Sequence, residues 1–173
     1  LAYFQSFSNT YAPLERLKAL YGEALEHPDV VGIVIGTRPD CVDEEKLDYL
    51  ADLAGGKVLK GWKRALAGEG ERTAPIVIVE YGIESCYDRT LERINRGHDF
   101  ATAQRAVRMT AERGLDVGVH FILGLPGETR QMMLDSCAMI NALPIRSVKF
   151  HQLQIVKGTR MEKEYAECPE DFE

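Results

Sequence analysis

Short apolar runs alternate along the chain with longer stretches in which apolar positions return every three or four residues. Residues 2–7, 30–36, 76–81, 115–123 and 147–156 read as strands, because each run is short and rich in β-branched or aromatic residues. Residues 13–21 read as a helix, with Pro13 suited to a first turn and Leu14, Leu17, Leu20 and Tyr21 on one stripe. Asp43, Glu44 and Glu45 open a second helix, since acids favour a helix N-terminus. Its inward stripe is Leu47, Leu50 and Leu53, and Gly55-Gly56 stops it. Residues 87–95, 99–113 and 128–143 read as further helices, the second stopped by Gly114 and the third by Pro144. A short helix is expected over residues 159–165, and the acidic tail after Cys168 is expected to fray. Residues 55–75 stand apart. Lys57, Lys60, Lys63 and Arg64 surround Trp62, and Gly68-Glu69-Gly70-Glu71 follows, which reads as an inserted helix and a flexible loop.

The alternation is βαβαβαβαβ. It predicts an α/β fold with a parallel sheet whose strands are apolar on both faces. The chain has 173 residues, 45% of them hydrophobic and 28% charged, which fits one globular domain and excludes disorder for its bulk. The longest apolar runs fall well short of the ~18 residues of a membrane span. A net charge of −6 argues against a general nucleic-acid or anionic-membrane surface. Leu1 stands where an initiator methionine would, inside an apolar stretch, and reads as the start of a piece of a longer protein. Cys41, Cys86, Cys137 and Cys168 lie far apart with no C-x-x-C pair. They offer neither a disulfide framework nor a local metal motif.

Ligands of parallel α/β folds bind at the C-terminal ends of the strands. Here those ends run into Gln5-Ser6-Phe7-Ser8-Asn9-Thr10, Gly36-Thr37-Arg38-Pro39-Asp40, Gly82-Ile83-Glu84-Ser85 and Gly124-Leu125-Pro126-Gly127-Glu128. The fourth strand also carries His120, and the fifth carries Lys149, His151, Gln152 and Gln154. Alternation sends Lys149 and His151 one way and Gln152 and Gln154 the other. Buried polar groups need partners, so this rim fits a small polar ligand. His120, in mid-strand, also suits a structural bond to a neighbouring carbonyl. Lys149 could form a Schiff base, the mark of an aldolase-like barrel. No P-loop, dinucleotide fingerprint or nucleophile elbow is present.

In their order, the segments Gly36–Asp40, Glu80–Ser85, Asn95–Asp99, His120–Glu128 and His151–Gln154 resemble the core of the radical S-adenosylmethionine (SAM) superfamily. The likeness is to its YhcC-like group, with kinship to the Elongator catalytic subunit and to oxygen-independent coproporphyrinogen oxidase. The resemblance implies a partial (βα)6 TIM-like barrel over residues 1–160, with residues 161–173 an acidic tail or the start of an extension. It implies an enzyme that binds SAM and a [4Fe–4S] cluster and generates a 5′-deoxyadenosyl radical. It also implies a reductase, ferredoxin or flavodoxin as electron donor, and a cytoplasmic protein with no membrane partner. The family's first strand and its C-x-x-x-C-x-x-C loop are expected to be missing from this piece, so no metal ligand is assigned in it. Nor is a catalytic residue.

By the same resemblance, SAM is expected to meet Gln5, Ser6, Ser8, Asn9, Thr37, Glu84, Ser85, Arg96, Gly124, Gln154 and Ile155. Arg96 would grip the SAM carboxylate, because a planar guanidinium binds a carboxylate with two parallel hydrogen bonds. Glu84 stands where relatives carry Gln. Gly36 stands where the Elongator pattern has a glutamate, so one acidic contact is lost. Arg38, His120, Lys149, His151 and Gln152 would line the substrate side. The substrate is unassigned; kinship hints at RNA, which the negative charge does not favour. A non-redox SAM- or substrate-binding barrel and a lysine-dependent aldolase-like barrel stand as alternatives.

These cysteine spacings lead to a prediction. Residues 1–173, purified anaerobically with iron and sulfide, should hold no stoichiometric cluster in an iron assay. Iron near ~4 per chain that is lost on Cys41 or Cys86 substitution would reverse the assignment.

Overall fold

The computed structural model describes residues 1–59, 61–66 and 70–172, with backbone alone at 64–66. Lys60, Gly68 and Glu69, singled out in the sequence, lie outside the described residues. Five parallel strands form one sheet in the order β1 (Ala2–Phe4), β2 (Gly32–Thr37), β5 (Ile76–Glu84), β6 (Asp116–Leu123), β7 (Ser147–Gln152). The sheet curls into an open half-barrel with helices outside, the partial TIM-like architecture expected. Helices α1 (Leu14–Glu26), α2 (Glu44–Ala54), α3 (Asp88–Arg93), α4 (Phe100–Glu112), α5 (Arg130–Asn141) and α6 (Arg160–Glu167) connect or follow the strands.

The pairing register assigns side chains to the two faces. Ile33 and Ile35 sit beside Val77 and Val79, and Val79 and Tyr81 beside Val117 and Val119. These residues are buried in one core with Leu17, Tyr21 and Leu25 of α1, the α2 stripe Leu47, Leu50 and Leu53, and Ala103, Ala106 and Val107 of α4. Leu20, expected on the α1 stripe, is 38% exposed, and Leu25 takes the inward place one turn on. The helices are capped as their sequences dictate: Asp43, Asp99, Thr129 and Thr159 each accept a hydrogen bond from a first-turn backbone N–H.

The other face differs from the expectation of strands apolar on both sides. It carries Gly36, Glu80, Gly82, Gly118, His120, Lys149 and His151, all related by the same register. Parallel sheets are sealed on both faces only where something covers both; here the helices cover the convex one and leave the other as a cleft.

Two further readings change. The described residues of the segment 55–75 hold no inserted helix; β3 (Arg64–Leu66) and β4 (Gly70–Arg72) form a small antiparallel sheet instead. Trp62 is buried against α1, its indole N–H donating to the Leu25 carbonyl at 3.2 Å. The acidic tail does not fray. Residues Pro169–Asp171 form a 3-10 turn, the Asp171 carbonyl accepts from the Gly127 N–H at 2.7 Å, and its carboxylate accepts from Arg93 at 2.7 Å. A charged acceptor with a guanidinium within reach outweighs the loss of chain freedom there.

Leu50 is 1% exposed at the centre of the helix-to-sheet contact. Leu50→Ala should lower the unfolding free energy by about 2–5 kcal/mol, read from urea melts.

Candidate functional site

The cleft opens over the C-terminal ends of β1, β2, β5 and β6 and has a volume of about 320 Å³. Tyr3, Gln5, Phe7, Ser8, Gly36, Thr37, Arg38, Glu80, Gly82, Glu84, Arg96 and His120 line it. Glycines on the inner strand positions make its room. A Cβ on Gly82 would run into Arg96 Nη2 and Glu84 Oε1, and one on Gly118 would lie 2.9 Å from Glu80 Cγ. Side chains there would fill the space in which the charged groups lie flat on the sheet.

At one end stands a guanidinium–carboxylate pair. Glu84 ends β5 just past a register shift between Gly82 and Glu84, with φ of 70°. A non-glycine residue in that left-handed region costs on the order of 1–3 kcal/mol, strain that clusters at ligand sites. Arg96 follows α3, and its backbone N–H bonds the Leu91 carbonyl at 2.9 Å. Asn95 and Gly97 flank it with φ of 55° and 78°, which turns the Arg96 side chain back over the sheet. Its Nη2 donates to the Gly82 carbonyl at 2.8 Å and stands 3.1 Å from Glu84 Oε1. Arg96 Nε is buried with no hydrogen-bond partner among the described residues. Burial pushes the Glu84 carboxyl above its usual range, against the pull of Arg96 and His120.

The floor of the cleft is a second polar group. Glu80 Oε2 accepts from the Tyr3 hydroxyl at 2.6 Å and faces His120 Nε2 at 2.8 Å. Partial burial alone would raise the Glu80 carboxyl, but Tyr3, His120 and nearby Lys149 together hold it below its usual value. The Tyr3 phenol is pushed up to about 12 by burial and by Glu80. His151 stacks at a tilt on His120, ring centroids 5.4 Å apart, and Lys149 Nζ lies 5.4 Å from the Tyr3 ring centre.

Of the residues expected at the SAM site, Gln5, Ser8, Thr37, Glu84 and Arg96 line this one cleft. Asn9 pins the rim loop instead, its amide donating to the Phe4 and Gly36 carbonyls at 2.9 and 2.8 Å. Ser6 is exposed beside it. Ser85 is buried and its hydroxyl is committed to Glu128, so it turns away from the cleft. Gly124, in a left-handed turn, and Gln154 and Ile155, past the end of β7, do not line it either. β7 stops at Gln152, short of the expected Val156. On the substrate side, Arg38 and His120 line the cleft, and Arg38 Nε donates to Asp40 at 2.9 Å. Lys149 and His151 join the floor through Tyr3 and His120, and Gln152 is exposed on the other side of β7. Tyr3 and Glu80 line the cleft although the sequence reading did not place them on the rim. Glu80, a charged residue inside a strand of Ile and Val, was the legible signal.

Cys41, Cys86, Cys137 and Cys168 are dispersed, and burial raises the thiols of Cys41 and Cys86, the latter to about 11. Among the described residues no three His, Cys, Asp or Glu side chains are grouped to hold a metal ion, and no helix there is long and apolar enough to cross a membrane.

Residues 64–140 match the model of the Radical SAM superfamily. Protein YhcC of Escherichia coli K12 is 37% identical over 163 residues, covering 94% of this chain and 47% of that protein. The chain thus spans about half the length of the curated relatives it matches. Among solved structures, Elp3 of Methanocaldococcus infernus superposes with a TM-score of 0.71 at 19% identity, over 95% of this chain and 39% of that one. HemN of Escherichia coli, described as a radical SAM enzyme, superposes with a TM-score of 0.62 at 13% identity, over 95% and 38%. At such identities the structures speak for the fold, and the family model and the YhcC likeness speak for descent. Over residues 64–140 the chain thus matches the radical SAM superfamily, and over nearly its whole length it is similar to YhcC.

Proposed function

We propose that this chain is the SAM-binding core of a radical SAM enzyme and that the cleft holds SAM by its amino-acid end. The Arg96–Glu84 end carries the reading. A buried guanidinium N–H without a partner costs about 1–3 kcal/mol or more, so the site is built for a further acceptor. A carboxylate supplies it, with the second oxygen free for the same planar fork. The Glu84 carboxylate, which Arg96 favours against the upward push of burial, can accept from an ammonium or from ribose hydroxyls. Gln5, Ser8 and Thr37 add hydrogen-bonding groups on the opposite wall, and Gly36 and Gly82 allow the ligand to approach the backbone. Thr37 is itself held by Thr10, hydroxyl to hydroxyl at 2.6 Å, so the rim loop and β2 are positioned together.

When bound and given one electron by the reduced cluster that the family implies, SAM would yield methionine and a 5′-deoxyadenosyl radical able to abstract hydrogen from a substrate. The family also implies a [4Fe–4S] cluster, for which the four cysteines here provide no grouped ligands among the described residues. No step is assigned to it on this chain. The chain's own residues bind and orient SAM, and the helix-sealed outer face keeps the sheet ends fixed. We assign residues 1–160 to this core, a reductase, ferredoxin or flavodoxin as the electron donor, and the cytoplasm as the compartment.

Arg96→Lys in the full-length protein keeps the charge and removes the fork. SAM affinity should fall tenfold to a hundredfold in calorimetric titration, since a charge-assisted hydrogen bond is worth about 1.5–3 kcal/mol. An unchanged affinity in the folded variant would place Arg96 in a purely structural role, bonded to the Gly82 carbonyl and Glu84.

A further inference from the structure

The reading of Arg96 and Glu84 leaves half of the cleft unused. The floor gathers Tyr3 from β1, Glu80 from β5, His120 from β6, and Lys149 and His151 from β7. Tyr3, Glu80 and His120 are hydrogen-bonded together, and His151 and Lys149 join them by ring contacts, all on the inner face. None of them is needed for the core, which lies on the opposite face.

The chemistry of the group follows from its hydrogen bonds. Glu80 is held ionised by two partners that approach the same oxygen, the Tyr3 hydroxyl and His120 Nε2. An ionised carboxylate only accepts, so the neutral His120 ring carries its proton on Nε2. Nδ1 is then the proton-accepting atom of the ring, and it makes no hydrogen bond among the described residues. A histidine oriented by a carboxylate, with its second nitrogen free beside a cavity, is the arrangement of a general base. Charge narrows what it can serve. Glu80 disfavours an anionic group, Lys149 disfavours a cationic one, and His151 is kept neutral by burial and by the neighbouring His120 and Lys149. A neutral hydrogen-bonding group meets neither penalty.

We propose that the floor of the cleft is the substrate site, that it takes a neutral hydroxyl-bearing compound, and that His120, oriented by Glu80, is the residue that accepts the hydroxyl proton. In that step the substrate O–H bond breaks and an Nδ1–H bond forms. The electron pair stays on oxygen, where the Lys149 ammonium at the same floor offsets the charge that Glu80 disfavours, and Glu80 stabilises the imidazolium. No electron is transferred and no further reactant is required. The proposal rests on the assignment of SAM to the Arg96 end of the same cleft.

The test is NMR of the full-length protein with labelled histidines, titrated with 1,2-propanediol with and without saturating SAM. His120 is expected as the Nε2–H tautomer in the free protein. The diol should shift the His120 and His151 signals in a saturable way, leave surface His27 unmoved, and do so equally with SAM bound. Glu80→Gln should weaken the diol effect at least fivefold, and Tyr3→Phe, at a partly exposed position, serves as the second variant should Glu80→Gln fail to fold. Three results would overturn the proposal: His27 shifting in parallel, sodium phosphate alone moving the floor histidines, or loss of the diol effect with SAM bound. The last would mean that the floor belongs to the SAM site. Arg96→Lys calorimetry reads the SAM assignment separately, so the two can fail independently.

Discussion

Period-two alternation in β5 sends Val77, Val79, Tyr81 and Ile83 towards the helices and Glu80 and Gly82 into the cleft. The rest of the molecule depends on that division. Apolar burial on the convex face supplies the stability, at roughly 25 cal/mol per Å² removed from water. The concave face is thereby released from packing and can hold charges and glycines that a sealed parallel sheet would exclude. Tyr81 shows how firmly the division is kept. Its hydroxyl is buried on the helix side, yet it finds Thr110 at 2.7 Å and leaves no unpaired polar atom.

The cleft uses this freedom in two different ways. At the Arg96 end, strain and an unmet donor are concentrated: a left-handed Glu84, a register shift and a buried Nε without a partner. Such features persist only where the surrounding structure over-determines them. At the floor, Glu80 at the centre takes up the Tyr3 hydroxyl and His120 Nε2, and His120 Nδ1 is left open among the described residues. A ligand is called for at the first end by what is missing and is admitted at the second by what is already oriented. In the roles proposed for the two ends, the distinction separates binding from proton transfer within a single cavity.

Much of the fold was legible because its signals are local. The α2 stripe, its Asp43 cap and its Gly55 stop needed no tertiary information, and all three stand as read. Leu20 and Leu25 show the limit: a helical stripe locates a face to within one position, and the partner strand decides which residue lies under it. The paired strands β3 and β4 fall in a segment that the pattern reads as a helix and a loop, because Trp62 and the surrounding lysines mimic a helical period. The docking of Asp171 on Arg93 and Gly127 joins positions far apart in sequence, beyond the reach of any local pattern.

For the site, the sequence by itself determined the βα alternation, the rim at the strand ends and the kind of residues delivered there. The resemblance alone pointed to Arg96 for the SAM carboxylate and to Glu84 for its ribose or ammonium. What only the tertiary structure decided is which of those residues share a cavity. Gln5, Ser8, Thr37, Glu84 and Arg96 do, whereas Asn9 and Ser85 spend their side chains on the Gly36 carbonyl and on Glu128. The reason is physical: alternation along a strand says that neighbours point apart, but the pairing register and the curl of the sheet set which face of each strand meets which, and those are properties of contacts between strands and not of any one of them.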